Sequence, residues 1–462
     1  MQDLKYLTRK KRSSVFSLFG IRRHNRALKP QAAAVSRTIP PVTGTHRQKL
    51  KYGLVFIAIV LALTPISYLL VKGAPRVLHG VTDWVAARAA RTPVAAEAAK
   101  PPTAGSFETA CALLDGATSA DGRLVARTND GRTLHYTIND RLQKRVHGLL
   151  AEKQVPYGVF VALEPASGRI LAMTSYSAAD PAWTQSAFFD LYPMASLFKI
   201  VTATAALEAR KITPDTVIEF RGKFTSENPR YWDASPRGKN NRLDVTYAMG
   251  KSINPVYGRL ASEVAGKASM MESVRKFGFN QSLLPGIPVK ESKAGEPQDQ
   301  RSLMLMGAGL DHEVKISPLH AAVIMAALAN DGKMMTPLLT ERIADSTGGA
   351  AEELQPKEIR QLVSPEIASS LTRMLSSTVT SGTSRRAFHD RRGRPVLGNI
   401  DVAAKTGSIN GDDPRGHYSW FAAFAPVKNP RIALVALVIN QDKWKIKASQ
   451  VGEQALSEFF DR

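Results

Sequence analysis

The chain has 462 residues, 44% hydrophobic and 22% charged, a globular composition long enough for one large domain plus accessory segments. Its single cysteine, Cys111, excludes an internal disulfide framework and a thiol-rich metal site, and reads as a small buried residue. The formal charge of +22 is uneven: residues 1–52 hold thirteen Lys and Arg against one acid, Asp3, so more than half of the excess lies in that tail.

Residues 53–71, GLVFIAIVLALTPISYLLV, are nineteen in a row without a charge. At roughly 1.5 Å per residue a helix of that length spans about 28 Å, close to the hydrocarbon thickness of a bilayer. Arg47, Lys49 and Lys51 crowd its N-terminal flank, whereas only Lys72 and Arg76 follow closely, so the positive-inside rule places residues 1–52 in the cytoplasm and the bulk outside. A basic lead of this length is long for a cleaved signal peptide, and the expectation is an uncleaved single-pass anchor in the cytoplasmic membrane. Orientation and attraction to anionic membrane lipid then account for the charge of the tail, and no nucleic acid is expected.

Residues 72–106 are rich in Ala and Pro, a linker composition, with a short helical candidate at 81–90. A small β-rich lead-in (107–138) follows, in which residues 123–137 alternate around an Asp130-Gly131 turn like a hairpin. The main domain is read as 139–462. Asn139 can cap a helix whose Leu142, Val146 and Leu149 recur at helical spacing. Residues 157–175, YGVFVALEPASGRILAMTS, give two apolar runs around a tight turn, a core hairpin.

Residues 192–211, YPMASLFKIVTATAALEARK, read as an apolar helix opening at Ser196, with Lys199 one turn on and on the same face. There the free N–H groups and the helix dipole favour negative charge, such as an alkoxide forming on Ser196. Taken alone, the pattern also fits a capping serine and a snorkelling lysine. A second S-x-x-K, Ser273 to Lys276, is read as the polar face of an ordinary amphipathic helix. The first copy differs in opening a helix nearly free of charge, where a lysine must be paired or neutral. To act as a base at neutral pH, Lys199 must be held some three pH units below its usual 10.4, at a cost of about 4 kcal/mol, which burial beside Lys405 could supply.

A Gly-, Asn- and Arg-rich excursion (221–242) leads to a helix expected to reach about Gly250, break over 251–254 and restart with Pro255 in the first turn, leaving Ser252 and Asn254 at a short interhelical loop. Ser317-Pro318 opens another apolar helix, closed by residues 330–332. Three apolar strands, 401–407, 418–425 and 431–440, precede a terminal helix over 447–460. With the hairpin at 157–175 these make five mostly antiparallel strands flanked by helices, an α/β sandwich.

Three motifs stand in order: Ser196-Leu197-Phe198-Lys199, Ser252-Ile253-Asn254 and Lys405-Thr406-Gly407. S-x-N recurs at Ser226 to Asn228 and at Ser408 to Asn410, but only 196, 252 and 405 combine a helix start, an interhelical loop and a strand end. The set resembles that of the penicillin-recognising serine acyltransferases, most closely the penicillin-binding protein transpeptidase domains. FKIVTATAALE, KSINPVYGRLA, VTSGTSRRAF and AAKTGS carry the same resemblance, which covers roughly residues 133–460.

The resemblance implies the β-lactamase/transpeptidase-like fold, with an all-helical subdomain beside the sheet. It implies Ser196 as the acylated nucleophile, Lys199 as base and Ser252 as proton relay to the leaving amine. Asn254 would hold Lys199 and a substrate amide, and Lys405 would lend positive potential. Thr406 and Ser408, flanking Gly407, would bind the substrate carboxylate, and the N–H groups of Ser196 and Ser408 would form the oxyanion hole. The substrates implied are peptidoglycan stem peptides, with β-lactams as acylating mimics and proteins of cell elongation or division as candidate partners. No cofactor and no metal is called for.

Two departures stand out. Met194-Ala195 occupies the place of the family's usual Pro-Gly, and Ser408 that of a threonine. His417, just before the Trp420-Phe421 run, is read as structural rather than as a base. No E-x-x-L-N loop follows Asn254, which disfavours a class A β-lactamase, and S-x-N in place of S-x-V disfavours class D. A D,D-carboxypeptidase, a serine β-lactamase of this fold, and a penicillin sensor or division scaffold remain the alternatives. About 65 residues between anchor and domain are too few for a glycosyltransferase module.

Overall fold

The computed structural model describes residues 106–120, 123–346 and 351–461. The expected anchor at 53–71, the helical candidate at 81–90 and the basic tail lie outside them. Among the described residues, no helix is long and apolar enough to cross a membrane.

A five-stranded antiparallel sheet organises the chain, in the order Ala403–Asp412, Arg415–Ala425, Ile432–Asn440, Tyr157–Leu163, Ile170–Tyr176. Its inner strands are apolar along the stretches where both faces are covered. On one face Val159, Val161, Val435, Leu437, Trp420 and Ala422 join the larger core with the fully buried helix Pro318–Ala329. On the other, Phe160, Ala162, Leu434, Ala436 and Phe421 pack beneath the helices Asp140–Glu152 and Ala448–Phe460. Asn139 caps the first of these by accepting the Leu142 N–H at 3.0 Å.

The strand carrying Lys405 runs five residues beyond Gly407, to Asp412, and its partner begins at Arg415. Expectation had ended the first at 407 and begun the second at 418. The added residues alternate buried Ile409 and Gly411 with exposed Asn410 and Asp412, so the ladder of backbone bonds continues where the apolar run has stopped.

The lead-in hairpin turns at Gly131, whose φ of +83° suits the Asp130-Gly131 turn. It also pairs with a distant strand, Thr340–Ala344, in a second sheet ordered Thr118–Ala120, Arg123–Arg127, Thr133–Tyr136, Thr340–Ala344, Ala351–Glu353. Glu341 accepts from Arg123 on one side, at 2.6 Å, and from Arg169 on the other. Tyr136 donates its hydroxyl to the Ala110 carbonyl at 2.8 Å and seats the helix Phe107–Leu114. Cys111 on that helix is half-buried rather than buried, and its surroundings push the thiol up to about 12 through burial first and Glu108 second.

The second lobe is rich in helices. The Gly-, Asn- and Arg-rich excursion is closed at its base by two short paired strands, Val217–Phe220 and Asn241–Asp244, for which no strand was expected.

Candidate active site

Ser196 sits on a 3-10 turn, Ala195–Phe198, and the α-helix proper begins only at Lys199 and runs to Glu208. The α-helix therefore starts three residues later than expected. The tighter turn still places Ser196 and Lys199 on one side, since residues three apart eclipse in 3-10 geometry.

The turn is gripped from several sides. Met194 donates its N–H to Val314 O at 2.9 Å, and the Trp420 indole donates to Pro193 O at 2.9 Å. Ala195 takes the left-handed φ of +53° itself, where the family's glycine would adopt it freely, at a cost of about 1 kcal/mol. Gly309 makes the grip possible: at its φ of +68° a Cβ would run into the Ala195 carbonyl. Gly407 completes it, for a Cβ there would lie 3.2 Å from that of Ala195 and 3.1 Å from that of Trp420. The glycine of K-T-G thus lets the edge strand close on the serine turn.

Lys199 is completely buried, on a helix whose only other charged residue is Glu208 at its far end. Its Nζ lies 2.7 Å from Ser196 Oγ, 2.8 Å from Asn254 Oδ1 and 2.5 Å from the Ala308 carbonyl. Burial, and then the positive charge of Lys405, hold its pKa well below the usual lysine value. Of the three partners, Asn254 Oδ1 and Ala308 O can only accept. A neutral amine has two N–H bonds and one lone pair, so donating to both acceptors leaves the lone pair facing the Ser196 hydroxyl.

Ser252 and Asn254 come from the corner between two short helices, Val245–Lys251 and Asn254–Arg259. The break is narrower than expected: Lys251 still belongs to the first helix and Asn254 already to the second. Ser252 turns the corner in a left-handed conformation, φ +57° and ψ +45°. The segment at 379–383 locks the corner from below, with Thr383 donating its N–H to Gly250 O at 2.9 Å.

Lys405 reaches across from the edge strand. It is fully buried, and its amine donates to Ser252 Oγ at 2.9 Å and to Thr406 O at 2.7 Å. Burial brings its pKa down to about 7. Thr406 and the exposed Ser408 are two apart and share one side of that strand. Thr406 Oγ1 is 2.6 Å from Thr383 Oγ1, a hydroxyl partner for which no role was read from the sequence. The Ala308 carbonyl was also missed. A backbone acceptor leaves no mark in residue type, although the glycine that follows it was a signal.

The decoys separate on contacts. Ser273 is buried, contrary to the expected polar face, while Lys276 donates to Glu208 at 3.1 Å and lies 3.3 Å from Glu272. Burial lowers the Lys276 pKa, but bonds and charge from Glu208 and Glu272 outweigh it, so the net direction is up and the amine stays protonated. His417 bonds through Nδ1 to Asn410 Oδ1 at 2.9 Å, with its ring 4.6 Å from that of Trp444. Among the described residues, no group of three or more His, Cys, Asp or Glu could hold a metal ion.

The model of the penicillin-binding protein transpeptidase domain matches residues 158–459. The chain belongs to the penicillin-binding protein transpeptidase family. Its relatives include the peptidoglycan D,D-transpeptidase PbpA of Mycobacterium tuberculosis, 29% identical over 353 residues, a match spanning 68% of this chain and 69% of that protein. PbpA of Mycolicibacterium smegmatis is 29% identical over 317 residues, and the match spans only 61% of that protein's length. The fold is similar to that of M. tuberculosis penicillin-binding protein A in its imipenem acyl-enzyme complex (TM-score 0.60, 24% identity, 71% of this chain and 79% of that one). The penicillin G acyl-enzyme complex of the same protein gives a TM-score of 0.57 at 25% identity, over 71% and 80%.

Proposed function

We propose that this member of the family is a peptidoglycan D,D-transpeptidase that cross-links stem peptides through an acyl-enzyme on Ser196. The observation that carries the reading is the Lys199 amine, buried between two obligate acceptors with Ser196 Oγ at 2.7 Å on its remaining side. Lys199 takes the Ser196 proton as Oγ attacks the carbonyl of the penultimate D-Ala. The collapsing intermediate breaks the C–N bond, and the departing D-Ala amine collects a proton through Ser252, which Lys405 holds. The N–H groups of Ser196 and Ser408 stabilise the oxyanion, and the second N–H of Asn254 Nδ2 donates to the carbonyl of a substrate amide. Thr406 and Ser408 take the terminal carboxylate beside the charge of Lys405. The amine of a second stem then attacks the acyl carbonyl, passing a proton back along the same relay. The C–O bond to Ser196 breaks as Oγ recovers its proton from Lys199, which leaves the amide cross-link.

The lobe bearing the Ser252 corner is the helical subdomain of this fold. Residues 53–71 anchor the protein once in the cytoplasmic membrane, with the basic tail on anionic lipid inside and the catalytic domain outside. The lysine and arginine asymmetry around that span supports this topology. Elongation or division proteins are its partners in this reading.

Intact-mass analysis with penicillin G tests the proposal. A single penicilloyl adduct on Ser196, slow to hydrolyse, is expected. Turnover within seconds would instead assign a β-lactamase, and no adduct a scaffold; a stem peptide ending in D-Ala-D-Ala completes the test, since release of D-Ala without cross-linking would assign a carboxypeptidase.

A further inference from the structure

The Asn254 amide can present Lys199 with either of two ends. With oxygen forward it accepts an N–H and leaves the amine's lone pair for Ser196. Turned over, it would offer N–H groups that compete with the serine hydroxyl for that lone pair. The amide therefore has to be held.

What holds it is the excursion between residues 221 and 242, to which the reaction above gives no part. Asn254 Nδ2 donates to Ser226 O at 3.3 Å, and the Asn254 N–H donates to Phe224 O at 3.1 Å. Ser226 is itself pinned: its N–H donates to Lys223 O at 3.0 Å, and its Oγ accepts the Trp232 indole N–H at 3.0 Å. Trp232 is completely buried, in a cluster with Met304 and Ala308. Gly258 lies so close beneath it that a Cβ there would strike the indole ring. The Ala308 carbonyl is the other acceptor of Lys199. One indole thus packs against the residue that supplies the first acceptor and, through Ser226, fixes the carbonyl that orients the second.

We propose that Trp232 and Ser226 are positioning residues for the general base: they hold the Asn254 amide oxygen toward Lys199 and so aim the lysine lone pair at Ser196. The inference rests on the reading of Ser196 as nucleophile and Lys199 as base. It assigns the excursion a task in the acylation step itself.

The test is rapid-mixing acylation by a chromogenic cephalosporin, which separates the acylation rate constant from the dissociation constant of the preceding complex. Trp232→Phe keeps a ring in the pocket and removes only the indole N–H, and Ser226→Ala removes its acceptor. Each should lower the rate constant by roughly 2- to 12-fold, the range of a single net hydrogen bond, with the dissociation constant unchanged. Because both act on the same bond, the double variant should be no slower than the slower single variant. Ser226→Thr, which restores a hydroxyl, should recover most of the rate. A purely structural role would lower melting temperature without this split. Wild-type rates in both single variants, an effect confined to the dissociation constant, or multiplying effects in the double variant would overturn the inference. If Trp232→Phe does not fold, Ser226→Ala against Ser226→Thr decides alone. A wild type inert toward the cephalosporin would overturn the proposed function as well, whereas a reactive wild type with indifferent variants overturns only this inference.

Discussion

Lys405 and Ser252, 153 residues apart, are joined by a 2.9 Å hydrogen bond from the lysine amine to the serine hydroxyl. The bond ties the edge of the main sheet to the interhelical corner of the other lobe. Lys199 and Lys405 both lie buried at this junction, and charge on Lys405 disfavours charge on Lys199. Burial brings Lys405 down to about 7, and burial together with the charge of Lys405 holds Lys199 well below its usual range, which favours the amine form that a base needs.

That pairing fixes a pH profile. Acylation by a carboxylate-bearing penicillin should rise as pH increases through the lowered Lys199 pKa, because only the amine accepts a proton. It should fall again as pH passes about 7, because Lys405 loses the charge that attracts the carboxylate. Lys405→Arg keeps its charge at all these values, so its profile should lack the alkaline limb even if its rate is lower throughout. Second-order acylation constants across the pH range decide this, and an unchanged alkaline limb in Lys405→Arg would count against the assignment.

Removing the base should be far more costly than removing either decoy. Lys199→Ala is expected to slow acylation by roughly 10²- to 10⁴-fold. Lys276→Ala removes only the contacts to Glu208 and Glu272, and His417→Ala those to Asn410 and Trp444, so both should stay within a few fold. Thermal melts must accompany the rates, since an altered buried site can also change stability. A normally melting His417→Ala protein that no longer acylates would require the site to be rebuilt around a Ser-His pair.

The serine turn offers a test by opposite substitutions. Gly309→Ala combines a left-handed backbone with a clash on the Ala195 carbonyl. It should cost about 2 kcal/mol or more and lower the acylation rate of the folded fraction by displacing Ser196. Ala195→Gly relieves strain of about 1 kcal/mol but gives up a buried methyl of about 0.8 kcal/mol. Its melting temperature should therefore hardly move. Denaturant titrations of the two variants check the contrast.

Topology is tested in cells. Alkaline phosphatase fused after residue 462 should be active, and the same enzyme fused at residue 1 inactive, if residues 53–71 cross the membrane once with the tail inside. Activity of the N-terminal fusion would overturn both the anchor and the extracytoplasmic site.

The strands of the main sheet were legible because burial on both faces leaves long apolar runs such as residues 432–440. The strand Thr340–Ala344 was not, because TERIA holds two charged side chains, and the partners of its buried Glu341, Arg123 and Arg169, are far away in sequence. The pair Val217–Phe220 and Asn241–Asp244 was hidden by its shortness, four residues a strand, with charged side chains among the apolar ones. At the site, the three motifs and the family they resemble singled out Ser196, Lys199, Ser252, Asn254 and Lys405, and these side chains lie together. What spacing could not give were backbone partners, the Ala308 and Ser226 carbonyls, and the left-handed angle of Ala195, which residue type argues against.

The shared sheet of the lead-in has a practical side for anyone cutting the protein down. A fragment begun at Asn139 would strip three strands from the edge of Thr340–Ala344 and leave its backbone N–H and C=O groups open on that side. It would also leave Glu341, itself 8% exposed, without its Arg123 partner. Open edges of that kind recruit other chains. Trimming at what looks like a domain boundary would thus yield a sticky, self-associating protein, and a well-behaved soluble version has to keep the chain from Ser106 onward.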